Sequence, residues 1–471
     1  MSILKYNILM TKKTRTILFF VCVFLFLLVA PFVIFYSQGY RINFETKKIT
    51  KTGGIFLKIE PRQAEIYLNE KLNKKTDLFF GSALIENLLP RKYKISIKKN
   101  GYQNWEKNLE VKEGLVTEAK NIILIPQSVN FQILSNNVND YFLSPDEKKL
   151  VFKKEKESGW YLTMFDLEKN IESVLIEEKN ISQKKADFSN LQWSPDSKKI
   201  ILEVLIGNEK KYYILEINSP LPIVPILINL PENAENISFS QLDSQKLFFL
   251  KEKNLFEINY KTKMISEPIL NNLLNYKIDG DNILYLDISG FMYSYNLISK
   301  NQEKLNIEPF QVKEGASYEI FSYLPKIFLK ENNVFFQLKS NTKNFEKIFD
   351  LVKNLEFSSD KKKLLFFNNN EIWILYLEDI LTENQKKAGD LQLLCRFSES
   401  IENVFWLTNY YVIFSVGDKI KIAEIDERDK IQIWDFDLFK SDVPPKISFS
   451  QKNKELYILS KNFYKSEKLI K

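Results

Sequence analysis

Leu143-Ser144-Pro145-Asp146-Glu147-Lys148-Lys149-Leu150-Val151-Phe152 is the stretch from which the fold can be read. An apolar strand ends at Ser-Pro-Asp, where proline fixes φ, aspartate bonds to nearby backbone and the chain reverses. Two lysines face water, and a second apolar strand starts at once. The phrase is therefore a β-hairpin. It recurs as Trp193-Ser194-Pro195-Asp196-Ser197-Lys198-Lys199-Ile200-Ile201 and as Phe357-Ser358-Ser359-Asp360-Lys361-Lys362-Lys363-Leu364-Leu365-Phe366. Looser copies run from Phe239-Ser240 to Asp243 and Lys246-Leu247-Phe248-Phe249, and from Phe449-Ser450 to Leu456-Tyr457-Ile458-Leu459. Two more strands follow the first hairpin, Trp160 to Phe165 and Val174 to Ile176, so one unit holds four strands.

The anchor serines, Ser144, Ser194, Ser240, Ser358 and Ser450, are spaced by 50, 46, 118 and 92 residues. The long gaps hold degenerate copies at Gly280-Asp281-Asn282, at Phe321 to Leu329 and at Phe405-Trp406 before Val412-Ile413-Phe414. Eight units of about 44 residues result, the length of a four-stranded propeller blade. Seven units would be longer than usual and stand as the alternative. The Ser-Pro-Asp-x-Lys-Lys-Leu phrase resembles TolB-type and WD-like propeller repeats, over residues 127–471. This resemblance carries no site residue, and the aspartates read as turn residues. The strand at Val129–Leu134 has no partner in the unit after it, while the last unit runs out of chain. Phe131 and Ile133 are thus expected to complete the final blade and hide two free edges.

Upstream the character changes. Residues 17–36, Ile-Leu-Phe-Phe-Val-Cys-Val-Phe-Leu-Phe-Leu-Leu-Val-Ala-Pro-Phe-Val-Ile-Phe-Tyr, carry no charge. Twenty helical residues cover about 30 Å, the thickness of the hydrocarbon layer. Tyr36 and Tyr40 fall where an interfacial belt belongs. The run exceeds a signal peptide's apolar core, and Pro31 after Ala30 disfavours cleavage, so an uncleaved signal anchor is expected. Residues 1–16 read as a cytoplasmic tail, 17–36 as a transmembrane helix and 37–52 as a linker. Lysines and arginines flank the span on both sides almost equally; N-terminus inside with the bulk extracytoplasmic is the chosen orientation.

Residues 53–126 read as a small β-domain. Ile55 to Ile59, Ala64 to Leu68, Tyr93 to Ile97 and Val116 to Leu124 are short, mostly alternating runs, and Asn100-Gly101 marks a turn. The order Pro61-Arg62-Gln63-Ala64, Tyr67, Leu89-Pro90, Tyr93, Gly101-Tyr102 and Trp105 resembles a PEGA domain, a small extracytoplasmic β-sandwich. Only Pro61 and Ala64 of its four naming residues match. The resemblance implies no catalytic constellation. Tyr102 and Trp105 read as aromatics of the core or edge, and alternatively as a platform for glycan or peptide, which makes them the binding candidates.

Among 471 residues there is no histidine and there are two cysteines, Cys22 and Cys395. Imidazole catalysis, His-ligated zinc and a disulfide scaffold are excluded. The net charge of +7 is uneven. Residues 1–126 carry 21 Lys/Arg against 10 Asp/Glu, and the remainder 46 against 50. A slightly acidic propeller argues against nucleic acid. Asp426 with Glu427, or Asp435 with Asp437, offer paired carboxylates to a glycosidase; solvated turns and strand faces are the preferred reading. Trp434-Asp435 reads as strand-end packing. The expectation is a non-enzymatic, membrane-anchored envelope scaffold without cofactor or metal, binding protein, peptide or glycan. A carboxylate-dependent envelope hydrolase and a purely structural component are the alternatives.

Overall fold

A computed structural model describes residues 11–44, 46–219, 223–381, 385–436 and 444–470. The first element is a helix, α1 (Lys12–Ser37), continuous through Pro31 and with no buried residue. Thr11 caps it, its hydroxyl oxygen accepting from the Thr14 amide. It is the one helix among the described residues long and apolar enough to cross a membrane. It starts five residues before the expected span, because Lys12, Lys13 and Arg15 continue the same helix.

The expected linker at 37–52 is instead a hairpin of β1 (Tyr40–Asn43) and β2 (Lys48–Lys51). The sequence reading missed it because its alternation is short and its apolar residues point away from the protein. Seven strands then build a two-layer sandwich: β3 (Gly53–Glu60), β4 (Glu65–Leu68), β5 (Lys71–Lys75), β6 (Ser82–Leu88), β7 (Lys92–Lys98), β8 (Trp105–Glu110) and β9 (Val116–Ile123). One layer has the order β6-β3-β9, the other β5-β4-β7-β8. Ile55, Leu57 and Ile59 alternate inward from β3 and meet Ile95 and Ile97 of β7. Gly53 is required on β3, since a Cβ there would lie 2.5 Å from two backbone oxygens, those of Lys112 and Leu115.

β10 (Phe131–Ser135) follows, and then, among the described residues, eight four-stranded antiparallel sheets in chain order. They cover 140–177, 186–227, 235–265, 273–304, 318–349, 354–396, 401–435 and 446–468, numbered one to eight. The first seven are simple meanders. Sheet eight has three strands of its own, and its fourth is β10, which pairs antiparallel with Asn462–Lys468. Phe131 and Ile133 thus lie on the final sheet, as the unpaired strand led one to expect.

Each sheet is buried on both faces, so its central strands read as unbroken apolar runs. In Lys199–Ile206 of sheet two, Ile200, Leu202 and Val204 enter the core shared with sheet one, while Ile201 enters that shared with sheet three. The same sharing links sheets three to seven in succession. Sheet seven meets sheet eight in the core that also contains the sandwich. Sheet eight meets sheet one through Tyr457, Leu459 and Phe463 against Tyr141, Leu150 and Phe152.

The Ser-x-Asp turns repeat atom for atom. Ser144, Ser194 and Ser358 each donate a hydroxyl proton 2.6 Å to the aspartate two residues on. Each hydroxyl oxygen also accepts the backbone N–H five residues on, at 2.9 to 3.0 Å. The aspartates are therefore turn elements. The residue after each, Glu147, Ser197 or Lys361, has a positive φ of 57 to 60°.

Candidate functional site

The two aromatic candidates do not form one platform. Trp105 is 1 % exposed and lies in the core between sandwich and sheet seven. Tyr102 is half-buried, bridged to Pro126, and borders a separate hollow against the last strand of sheet eight. Trp105 turns inward because β8 alternates, with Trp105, Lys107 and Leu109 all buried. A glycan or peptide therefore has no access to its ring face from solvent.

That alternation puts a lysine at a core position, and Lys107 is what fastens the sandwich to the propeller-like array. Its ammonium lies 2.6 Å from a Glu424 carboxylate oxygen and 3.8 Å from Asp426. It donates as well to the carbonyls of Asp426, Arg428 and Lys430. The Trp105 indole N–H donates to the other Glu424 oxygen at 2.9 Å. Burial pushes the Glu424 carboxyl above the usual carboxylate range, against the pull of Lys107 and Trp105. Around this centre run polar contacts at the rim. The Asn108 amide donates to Asp429, Glu106 N–H to Gln432, Trp434 to the Asn104 carbonyl, and Ile123 N–H to the Tyr411 hydroxyl. The Arg428 guanidinium donates to the Glu118 carbonyl at 2.8 Å. The small β-domain is thus packed into the array, because its core positions are completed by sheets seven and eight.

The junction leaves a cleft of about 430 Å³. Glu118–Ile122 of β9 forms one wall. The Asp360–Lys363 turn and the Tyr376–Leu381 segment of sheet six form the other, with Tyr410, Tyr411 and Glu424–Arg428 beneath. Lys363 is buried and placed 3.1 Å from Asp360, its ammonium 5.3 Å from the Tyr410 ring centre. Burial lowers its pKa, opposed by Asp360. Burial works against the charge of Asp426, but Arg428 at 2.7 Å and Lys107 hold its pKa below the ordinary value. Tyr376 donates to Gln392 at 2.6 Å, and burial raises its pKa. With its charges so paired, the cleft offers aromatic and apolar contact surface, rimmed by Lys120, Lys362 and Asp379.

The carboxylate pairs considered for hydrolysis are held otherwise. Asp426 is clamped at the junction rather than solvated, Glu427 pairs with Lys386, and Asp435 pairs with Lys421. Asp437 lies outside the described residues. Trp434, the middle residue of the strand Ile433–Asp435, packs against Tyr411. No group of three or more His, Cys, Asp or Glu able to hold a metal occurs among the described residues.

Lys107, Glu424 and Arg428 were missed by sequence reasoning. The signal was present for two of them. Lys107 shares the inward parity of Trp105 and Leu109, and Glu424 that of Ile420 and Ile422. A lysine and a glutamate on buried faces of two strands demand each other.

No protein-family model matches the sequence, and no curated protein does either. Among solved structures the chain is similar to the β-propeller domain of Cps50 (Swd1) from Myceliophteria thermophila, at 12% identity over 73% of this chain and 99% of that one, TM-score 0.41. It is similar to the WD40 domain of SCAP from fission yeast, at 10% identity over 72% and 98%, TM-score 0.40. An oligogalacturonate lyase from Vibrio parahaemolyticus matches at 13% identity over 72% and 97%, TM-score 0.39. At such identities and scores, ligand and activity do not transfer to this chain.

Proposed function

We propose that this chain is a membrane-anchored, non-catalytic binding scaffold of the cell envelope. In this reading α1 spans the bilayer with its N-terminus inside, and a PEGA-like sandwich joins it to an eight-bladed propeller closed by β10. The core that joins sheet eight to sheet one supports closure. The order of sheets supports the count of eight. The observation that carries the function is the junction: sandwich and sheets six and seven together wall a cleft that neither has alone. Its aromatic floor and mixed-charge rim suit a peptide segment of a partner protein, since aromatics give large contact area at little entropic cost.

A photoreactive side chain at Tyr410, in full-length protein in its native membrane, tests this. The reference site is Leu242, an exposed residue in the corresponding turn of sheet three. The expected result is a discrete adduct from position 410, absent from 242 and lost when Leu381, 88 % exposed at the cleft, becomes aspartate. Identical adducts from both positions, or turnover of a peptide, ester or glycoside abolished by one propeller carboxylate change, would overturn it.

A further inference from the structure

The hairpin of β1 and β2 is inside out. Tyr40 pairs with Lys51 and Ile42 with Ile49 on one face; Arg41 pairs with Thr50 and Asn43 with Lys48 on the other. In a hairpin of a water-soluble protein the apolar face turns to the core and the polar face to solvent. Here Ile42 is 52 % and Ile49 65 % exposed, with Phe44 at 84 % beyond them. Asn43 is buried and Arg41 is half-buried against protein. The Arg41 guanidinium lies 3.5 Å from the Tyr36 ring centre, donates to the Tyr36 carbonyl at 2.7 Å, and reaches the Asn87 side chain of the sandwich at 3.0 Å.

The same hairpin is seated on the end of α1. The Phe35 and Tyr40 rings meet edge to face at 5.6 Å, and Thr52 N–H donates to the Gly39 carbonyl at 2.8 Å. Its basic residues, Arg41, Lys47, Lys48 and Lys51, lie within the twelve positions that hold Ile42, Phe44 and Ile49. Apolar side chains on the outer face, cations around them and a spanning helix directly before them are what an interfacial element needs.

We propose that β1 and β2 form a membrane-interface hairpin: Ile42, Phe44 and Ile49 enter the headgroup–acyl boundary of the bilayer that α1 crosses, while Lys47, Lys48 and Lys51 engage anionic headgroups. This rests on α1 being a membrane span. The insertion depth expected of such an element is about 5–10 Å. With Arg41 bridging to Asn87, it fixes the tilt of the sandwich and of everything built on it, in place of a free tether.

Single environment-sensitive fluorophores on full-length protein in nanodiscs test the hairpin and the span separately. Cys22 is replaced by serine; Cys395 is buried. Labels stand at Phe26 in α1, at Phe44, at Ile49 and at Lys253, an exposed turn residue of sheet three. The nanodiscs contain anionic lipid and lipids that carry a quencher at shallow or deep positions. Phe44 and Ile49 labels should be blue-shifted and quenched most by the shallow quencher, Phe26 by the deep one, and Lys253 by neither. Replacing Lys47, Lys48 and Lys51 by glutamine should reduce shallow quenching in anionic discs more than in zwitterionic ones. If Phe26 is quenched while Phe44 and Ile49 behave like Lys253, the hairpin proposal is overturned and the span stands. An unquenched Phe26 overturns both. Blue-shifted but unquenched labels at 44 and 49 overturn the proposal in favour of contact with a second copy.

Discussion

Sheets two and seven come from the same repeat and make the same turn with different residues. In sheet two Ser194 and Asp196 satisfy each other and the backbone of the hairpin, and the Ser197 hydroxyl accepts from the Asp146 amide of sheet one. In sheet seven the equivalent turn, between Ile401–Thr408 and Tyr411–Val416, has no Ser-Pro-Asp; Asn409 keeps the bond to the preceding sheet, and Tyr411 adds one to the sandwich. The Tyr411 hydroxyl accepts from Ile123 of the sandwich, and the Asn409 side chain accepts from the Asp360 backbone. In sheet seven the turn without the signature is the one that meets the sandwich, whereas sheets four and five lack the signature with no such neighbour. A degenerate copy can mark an interface but need not.

The largest expected effect breaks the sheet-seven side. Lys107→Ala leaves the buried Glu424 without its cation and should cost about 3–5 kcal/mol in chemical denaturation, the usual penalty for half a buried pair. Lys107→Met combined with Glu424→Leu removes both charges and should recover most of that loss. A double variant as unstable as Lys107→Ala would mean that the pair is not the fastener. Trp105→Phe keeps most of the ring but strands Glu424's second oxygen. It should cost about 1–3 kcal/mol, from a lost hydrogen bond to a charged group.

A pH effect of similar size belongs to Glu356 on the first strand of sheet six. Burial pushes its carboxyl up to about 7, with the Trp406 amide donating to it at 3.2 Å. Its folded pKa lies above the unfolded one, so the folded state binds the extra proton between them. Stability should therefore fall as pH rises from the ordinary Glu value through about 7. Glu356→Gln should remove that fall and gain about 1–3 kcal/mol at pH 8. Parallel pH–stability curves for parent and variant would refute the assignment.

The sheet-two side is sharpened by Ser194→Ala, which orphans the Lys199 amide and frees Asp196. The expected loss is about 1–2 kcal/mol. Smallest is the exposed ion pair of Lys185 with Asp187. Asp187→Asn should change stability by less than about 0.5 kcal/mol.

How legible was this in the sequence? The clear Ser-x-Asp phrases, at Ser144, Ser194 and Ser358, were legible because the turn is made by its own residues. The copies in sheets four, five and seven were recovered from spacing, since core strands buried on both faces keep their apolar runs without the turn. β10 was legible because an unpaired apolar strand needs an edge. The junction was not, because its energetics lie between residues more than 300 positions apart, Lys107 and Glu424. Trp105 reads as a core or edge aromatic, and its burial fits the core reading, but what covers it is encoded far downstream of β8. The hairpin of β1 and β2 reads as a linker because alternation over four residues resembles irregular chain.

The core shared with sheets seven and eight should make the sandwich and the eight sheets one cooperative body. Thermal unfolding of the full chain, followed at once by a probe in the sandwich and a probe in sheet three, tests it most directly, beside a chain that begins at residue 127. Coincident transitions are predicted, together with a strongly destabilised or aggregating shorter chain, because Glu424 and the apolar surface of sheets seven and eight lose their cover. Two separate transitions, with sheet three melting at the same temperature in the shorter, monomeric chain, would contradict it.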